Sequence, residues 1–250
     1  MAKILLITGA SRGIGAAAAR LAGQRGYDVA VNFANDRAAA EAVVADIRKC
    51  GRRAVAIQAD TGDPAAIKSL FAAVDRELGT LDAFLNNAGI LWPHSRFVDI
   101  TAEHLQRMLA VNLAGPFIAN QEAARRMSTR LGGKGGAIVN MSSMAAKLGG
   151  AFECLDYGVS KGGVDTMTTG LAKELAAEGI RVNGLRPGLI MTEIHASAGE
   201  PGRVARLQAS VPLGRGGTAE DVAEAALWLL SNAAAYITGV TMDVAGGRGI

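Results

Sequence analysis

Short apolar runs alternate with helix-length stretches along almost all of this 250-residue chain. Strands separated by helices cannot pair as hairpins, so they lie parallel, and right-handed crossovers place the helices over both faces of the sheet. The apolar runs predict strands near 3–7, 28–33, 53–58, 82–86, 136–142, 180–186 and 240–244, with helices in the gaps. Val29-Ala30-Val31 and Ala137-Ile138-Val139 are apolar at successive positions, as strands covered on both sides require. The expected fold class is α/β: a doubly wound, Rossmann-type, seven-stranded and mainly parallel sheet forming one domain over 1–250. Half of the residues are hydrophobic, enough for one large core. Gly132-Gly133-Lys134-Gly135-Gly136 is too short to separate domains, and the longest irregular segment, 191–212, has the length of a lid.

The first βα unit carries a chemical signal. Lys3 to Ile7 is a strand, Thr8-Gly9-Ala10-Ser11-Arg12-Gly13-Ile14-Gly15 is a glycine-punctuated turn, and Ala16 to Arg25 is a helix. Glycines at 9, 13 and 15 allow a tight turn and a close backbone approach, while the free amides at the helix start attract a pyrophosphate. A second signal is Tyr157 with Lys161, four residues apart on a predicted helix from Asp156 to Glu178. That spacing puts both on one face. An ammonium beside a phenol favours the phenolate, so the pair predicts a tyrosine of lowered pKa.

With these stand Asn86-Asn87-Ala88-Gly89, Asn112, Ser143, and Pro187-Gly188 followed by Thr192. In that order the motifs from Lys3 to Gly247 resemble the short-chain dehydrogenase/reductases in their compact single-domain branch. In texture the chain is nearest to bacterial 3-oxoacyl-carrier-protein reductases and to glucose and sugar dehydrogenases. The resemblance implies an oxidoreductase that interconverts a carbonyl and a secondary alcohol. Ser143 would polarise the carbonyl, Tyr157 would exchange the proton, and Lys161 would also hold the nicotinamide ribose. Asn112, in one long helix from Ala102 to Arg130, would keep a relay water. The implied cofactor site comprises Gly9, Ser11, Arg12, Gly13, Ile14 and Gly15, then Asn32 and Phe33 at the end of the second strand, and Asp60 and Thr61 after the third. It continues with Asn87, Ala88 and Gly89, with Tyr157 and Lys161, and with Pro187, Gly188, Ile190 and Thr192. Two readings stay open for Asp60, an adenine contact or a cap for the helix after Pro64, and Asn87 reads chiefly as a tie between strands. Ser143 precedes Tyr157 by 14 positions where many relatives have 13, which leaves Ser142 as the alternative. The resemblance further implies a homotetramer formed through two long helices and the last strand.

An acidic side chain ending the second strand would hold a ribose 2′-hydroxyl and repel a 2′-phosphate. In register with the family that position is Phe33, while Asp36 reads as a helix cap. Arg12, with Asn32, Asn35 and Arg37 behind it, can receive a phosphate, so NADP(H) is expected over NAD(H).

Candidate substrate walls are Leu91, Trp92 and His94, then Phe152, Cys154 and Leu155, then Met191, Ile194 and His195; they are mostly apolar and predict a substrate with a nonpolar body. The three histidines lack ligand spacing, so no metal is expected. Two cysteines, Cys50 and Cys154, make no disulfide framework. A net charge of +3 spread along the chain gives no nucleic-acid stripe, and no apolar stretch or signal layout points to a membrane, so a cytoplasmic location is expected. A carrier-protein substrate would require a basic patch, for which Arg125, Arg126 and Arg130 are the candidates. A cofactor-binding sensor without chemistry is the alternative from another functional class.

Overall fold

The computed structural model describes residues 2–249. Strand β1 (Ile4–Ile7) shows how the sheet is covered: Leu5 and Ile7 enter one apolar cluster, and Ile4 and Leu6 enter another on the opposite face. The remaining strands are β2 (Asp28–Phe33), β3 (Ala54–Gln58), β4 (Ala83–Asn86), β5 (Gly136–Met141), β6 (Ile180–Pro187) and β7 (Thr241–Val244), each within two residues of its sequence expectation. They form one sheet in the order β3-β2-β1-β4-β5-β6-β7 with every pair parallel. The chain runs outward from β1 to β3 and returns to continue from β4. That reversal opens a crevice beyond the carboxyl ends of β1 and β4, where ligands of such sheets bind.

Helices α1 (Gly13–Gln24) and α2 (Arg37–Lys49) cover one face, and α3 (Pro64–Glu77) covers the other, where Phe71 meets Phe84 edge-on at 5.4 Å. Asp36 caps α2 by accepting from Ala39 N (2.9 Å), as expected. The cap of α3 is Asp63, accepting from Ala65 N at 2.8 Å, so the capping reading of Asp60 is corrected. Asp60 instead accepts from Gly62 N and pairs with Arg107 at 2.8 Å.

The single helix expected from Ala102 to Arg130 is also corrected. It is α4 (Ala102–Leu109), a π-helical turn (Ala110–Ala114) and α5 (Gly115–Met127), followed by a short 3-10 turn. Pro116 cannot donate to the Asn112 carbonyl as a helical residue would, and Gly115 N reaches back five residues to Ala110 O. Downstream lie α6 (Ala145–Leu148), α7 (Leu155–Leu175), α8 (Ile194–Ser197), α9 (Arg203–Leu207) and α10 (Ala219–Leu230). The segment 191–212 therefore carries α8 and α9 rather than an irregular loop. Among the described residues no helix is long and apolar enough to cross a membrane.

Candidate active site

A cavity of about 770 Å³ opens beyond the carboxyl ends of the central strands. One end of it is built largely from backbone. Gly9 turns the chain with φ +63°, and its amide donates to Asn32 Oδ1 at 3.1 Å. The first helical bond of α1 runs from Ala16 N to Arg12 O, so the amides of Gly13, Ile14 and Gly15 ahead of it have no helical acceptor. At Gly15 a Cβ would stand 2.3 Å from Gly9 O and 2.7 Å from Asn87 Nδ2, so no side chain fits there. Thr8 Oγ1 accepts from Asn87 N and Ala88 N, and Asn87 Nδ2 donates to Thr8 O at 2.9 Å, tying the ends of β1 and β4 together. Ser11, Arg12, Asp60, Thr61, Ala88, Gly89, Pro187, Gly188, Ile190 and Thr192 line the same space. The amides and closely approaching backbone fit a dinucleotide pyrophosphate.

Phe33 is the exception among the cofactor residues. It is buried in the core under α1 and α2, with the Arg37 guanidinium 5.2 Å above its ring, and does not line the cavity. The β-strand alternation that carries Val29 and Val31 inward carries Phe33 with them. Asn32, Ala34, Asn35 and Asp36 line that corner instead.

At the centre Ser143, Tyr157 and Lys161 come together. Helix α7 presents Tyr157 and Lys161 one turn apart, with Nζ 5.6 Å from the tyrosine ring centre and donating to Met141 O at 2.8 Å. Ser143 lies just past the end of β5 and accepts from Ala145 N, and its hydroxyl draws the Tyr157 pKa downward. Ser142 also borders the cavity, but it is buried and its hydroxyl donates to Lys161 O. Asn112 does not line the cavity; both ends of its amide bind the backbone of Ile90 at 2.8 Å. A Cβ on Gly89 would stand 3.3 Å from Asn112 Oδ1 and 3.4 Å from Lys161 Nζ, which places Asn112 directly behind the centre.

The expected acidity of Tyr157 is reversed. Burial at the base of the cavity pushes its phenol up to about 12, and the Ser143 hydroxyl only partly opposes this. Tyr157 keeps some exposed surface, but that surface faces the cavity rather than bulk water. Burial also brings Lys161 down to about 8, with Asp165 acting in the other direction. One desolvated site penalises both the phenolate and the ammonium.

The far wall differs most from expectation. Cys154, Ile194, His195 and Leu91 line the cavity, whereas Trp92, His94, Phe152 and Met191 do not. Trp92 packs against His104 with the rings tilted and their centroids 4.7 Å apart, Met191 is exposed, and Phe152 projects outward from a backbone with φ +64°. His94 lies behind the wall, where Nε2 accepts from Arg203. Glu153, Arg203 and Arg248, none of which the sequence singled out, line this end and make it charged rather than apolar. Arg203 is buried and bonds Glu153, while Arg206 lies 3.4 Å from Glu153 and 2.5 Å from Glu200. His195 donates through Nε2 to Ile190 O (3.0 Å), and burial holds its pKa below the usual value. Burial pushes the Cys154 thiol up to about 11, which disfavours the thiolate. The candidate carrier-protein patch is neutralised: Arg125 and Arg126 pair with Glu122, Arg126 also with Asp75, and Arg130 lies 3.6 Å from Glu178.

A family model described as enoyl-(acyl carrier protein) reductase matches residues 9–248. The uncharacterized oxidoreductase YgfF of Escherichia coli (strain K12) is 50% identical over 245 residues, covering 98% of this chain and 99% of its own. L-rhamnose 1-dehydrogenase (NAD(P)(+)) of Sphingomonas sp. (strain SKA58) is 39% identical, covering 98% and 95%. A short chain dehydrogenase from Burkholderia cenocepacia J2315, crystallised in complex with NADP, matches with a TM-score of 0.91 at 33% identity over 99% of this chain and 98% of that one. A parallel sheet with a glycine cradle at its switch point, a tyrosine and lysine one turn apart beside it, and likeness over nearly the full length lead to one conclusion: the chain belongs to the short-chain dehydrogenase/reductase family of oxidoreductases.

Proposed function

We propose that the protein is an NADP(H)-dependent oxidoreductase that interconverts a carbonyl and a secondary alcohol, with Tyr157 as proton donor and acceptor. One observation carries this reading: Ser143, Tyr157 and Lys161 line the same cavity as the glycine cradle, so a proton source and a dinucleotide site share one space. A bound nicotinamide supplies the hydride in reduction and takes it in oxidation. Ser143 orients the carbonyl oxygen through its hydroxyl. Tyr157, kept neutral by burial, gives up its phenolic proton as negative charge develops on that oxygen. The resulting buried phenolate is offset by the Lys161 ammonium, which remains largely protonated at pH 7 with a pKa of about 8. Asn112 holds Ile90 and thereby the course of the chain at Gly89 beside Lys161.

Arg12 supports the choice of NADP(H). It is exposed at the start of α1, lines the cavity, and makes no ion pair among the described residues, whereas Arg37 is drawn toward Phe33 and Glu41. Titration with both reduced cofactors tests this, with NADPH expected to bind about tenfold tighter through a charge-assisted contact. Tighter binding of NADH contradicts it.

A screen of ketones and secondary alcohols, following the absorbance of the reduced ring, tests the activity. Tyr157→Phe is expected to lower kcat about 10²- to 10⁴-fold while NADPH still binds. Undiminished turnover overturns the reading, and cofactor binding without turnover by the unaltered protein favours a sensor. The reading extends to a homotetramer closed through α5, α7 and β7. Phe117 and Val159, both about half exposed on α5 and α7, support that interface. Light scattering is expected to give a tetramer mass, and a clean monomer at micromolar concentration contradicts it.

A further inference from the structure

We propose that Arg248 anchors a carboxylate on the substrate, so that the natural substrate is a ketone or alcohol bearing an anionic group away from the reacting carbon. This rests on the oxidoreductase reading above and names its substrate class. The C-terminal segment is held from both sides. Leu213 N bonds Gly246 O at 3.1 Å, and a Cβ on Gly247 would stand 2.9 Å from Pro212 Cγ, so the tail packs against the end of the segment 191–212. Beyond Arg248, a Cβ on Gly249 would stand 2.3 Å from Met144 Cε, beside Ser143. The tail is thus wedged between the lid segment and the turn that carries the catalytic serine, and Arg248 N closes it by bonding Ala245 O at 3.1 Å. From that position Arg248 lines the cavity together with Glu153, Cys154, Tyr157, His195 and Arg203.

The charges at this end do not cancel. Glu153 and Glu200 are matched by Arg203 and Arg206 in one ion-pair network. Cys154, Tyr157 and His195 are held neutral by burial. Arg248 is left over: among the described residues it makes no ion pair, although it is only partly exposed. Glu153 attracts Arg248 and Arg203 repels it, but among the described residues no carboxylate lies within ion-pair distance; a guanidinium so withdrawn from water stands at a deficit that a ligand carboxylate removes, and its planar fork matches two carboxylate oxygens. Neutral or cationic substrates leave the deficit in place.

The test uses methyl ketones carrying a terminal carboxylate, from 4-oxopentanoate to 7-oxooctanoate, beside their methyl esters, with NADPH. The unaltered protein is expected to prefer an acid over its ester at one chain length, and Arg248→Gln to lower that acid-to-ester ratio of kcat/KM about tenfold or more. Arg248→Lys should restore part of the ratio. Calorimetric titration of the same acids into the protein with NADPH bound gives a readout independent of turnover. Acid binding that Arg248→Gln abolishes, without turnover, upholds the anchor and overturns the oxidoreductase reading. Turnover with no preference for acids at any length, or a preference that Arg248→Gln leaves intact, overturns the anchor and leaves that reading standing.

Discussion

The two ends of the cavity are made from different materials. The glycine cradle is built from backbone at the ends of β1 and β4, where Gly15, Thr8 and Asn87 lock two loops together. The opposite end is built from side chains contributed by distant segments: Glu153 before α7, Arg203 in α9 and Arg248 in the tail. Backbone geometry admits almost no variation, because a single methyl group meets a carbonyl oxygen. Side-chain walls can be exchanged without touching the sheet. The first end suits a ligand shared by a family, and the second suits a substrate particular to one member.

Three substitutions can break or sharpen that contrast. Gly15→Ala should have the largest effect, because its methyl group would overlap Gly9 O and Asn87 Nδ2, both of them fixed. Overpacking of this kind costs about 3 kcal/mol and lowers Tm by roughly 6–12 °C, with loss of dinucleotide binding. A variant that melts and binds normally would remove the claim that backbone alone shapes the cradle. Arg203→Ala comes next, since it strips Glu153 of its closer guanidinium partner; Glu153 and Glu200 are partly exposed, so about 1–2 kcal/mol is expected. Limited proteolysis should then cut faster within 191–212, and KM should rise more than kcat falls. Unchanged proteolysis would show that the network does not hold this wall.

Lys161→Met should have the smallest effect on stability, and of opposite sign. Burial lowers the folded-state pKa from 10.5 to about 8, so between those values the unfolded chain holds the proton more tightly. Stability therefore rises with pH across that window. The penalty, on the order of 3 kcal/mol, is fully present below about pH 8 and gone near 10.5. Methionine forgoes the bond to Met141 O, leaving a net gain of about 1 kcal/mol at pH 7 with turnover lost. Denaturant midpoints from pH 7 to 10.5 check this, and a destabilised variant at pH 7 would contradict it.

The same contrast explains what was legible in the sequence. Apolar runs marked the central strands closely, since burial on both faces demands apolar residues at successive positions, whereas the edge strands β3 and β7 are partly exposed; the glycine turn announced itself by spacing. Asp36 was recognisable as a cap, while Asp63, three residues past Asp60, took the role that Asp60 could have filled. Gly115-Pro116 signalled the break after Asn112, but continuous helical spacing on either side concealed it. Phe33 sat at the family's cofactor position in the chain, yet strand alternation turned it into the core. Arg203 and Arg248 gave no local signal, because only tertiary folding brings a short lid helix and the tail to Tyr157. The acidity of Tyr157 is hidden in the sequence for a related reason: spacing shows that an ammonium is near, whereas desolvation, the largest influence on the phenol, arises only in the folded cavity.

The proposed mechanism depends on that burial, since a phenol that keeps its proton in the free protein is available as the donor. The direct measurement is the pH titration of the Tyr157 ring-carbon resonance in the free protein, labelled with ¹³C-tyrosine and assigned by its loss in Tyr157→Phe. Burial predicts that the phenol remains neutral through pH 10 and ionises only near 12; a midpoint at or below 9 would contradict the account.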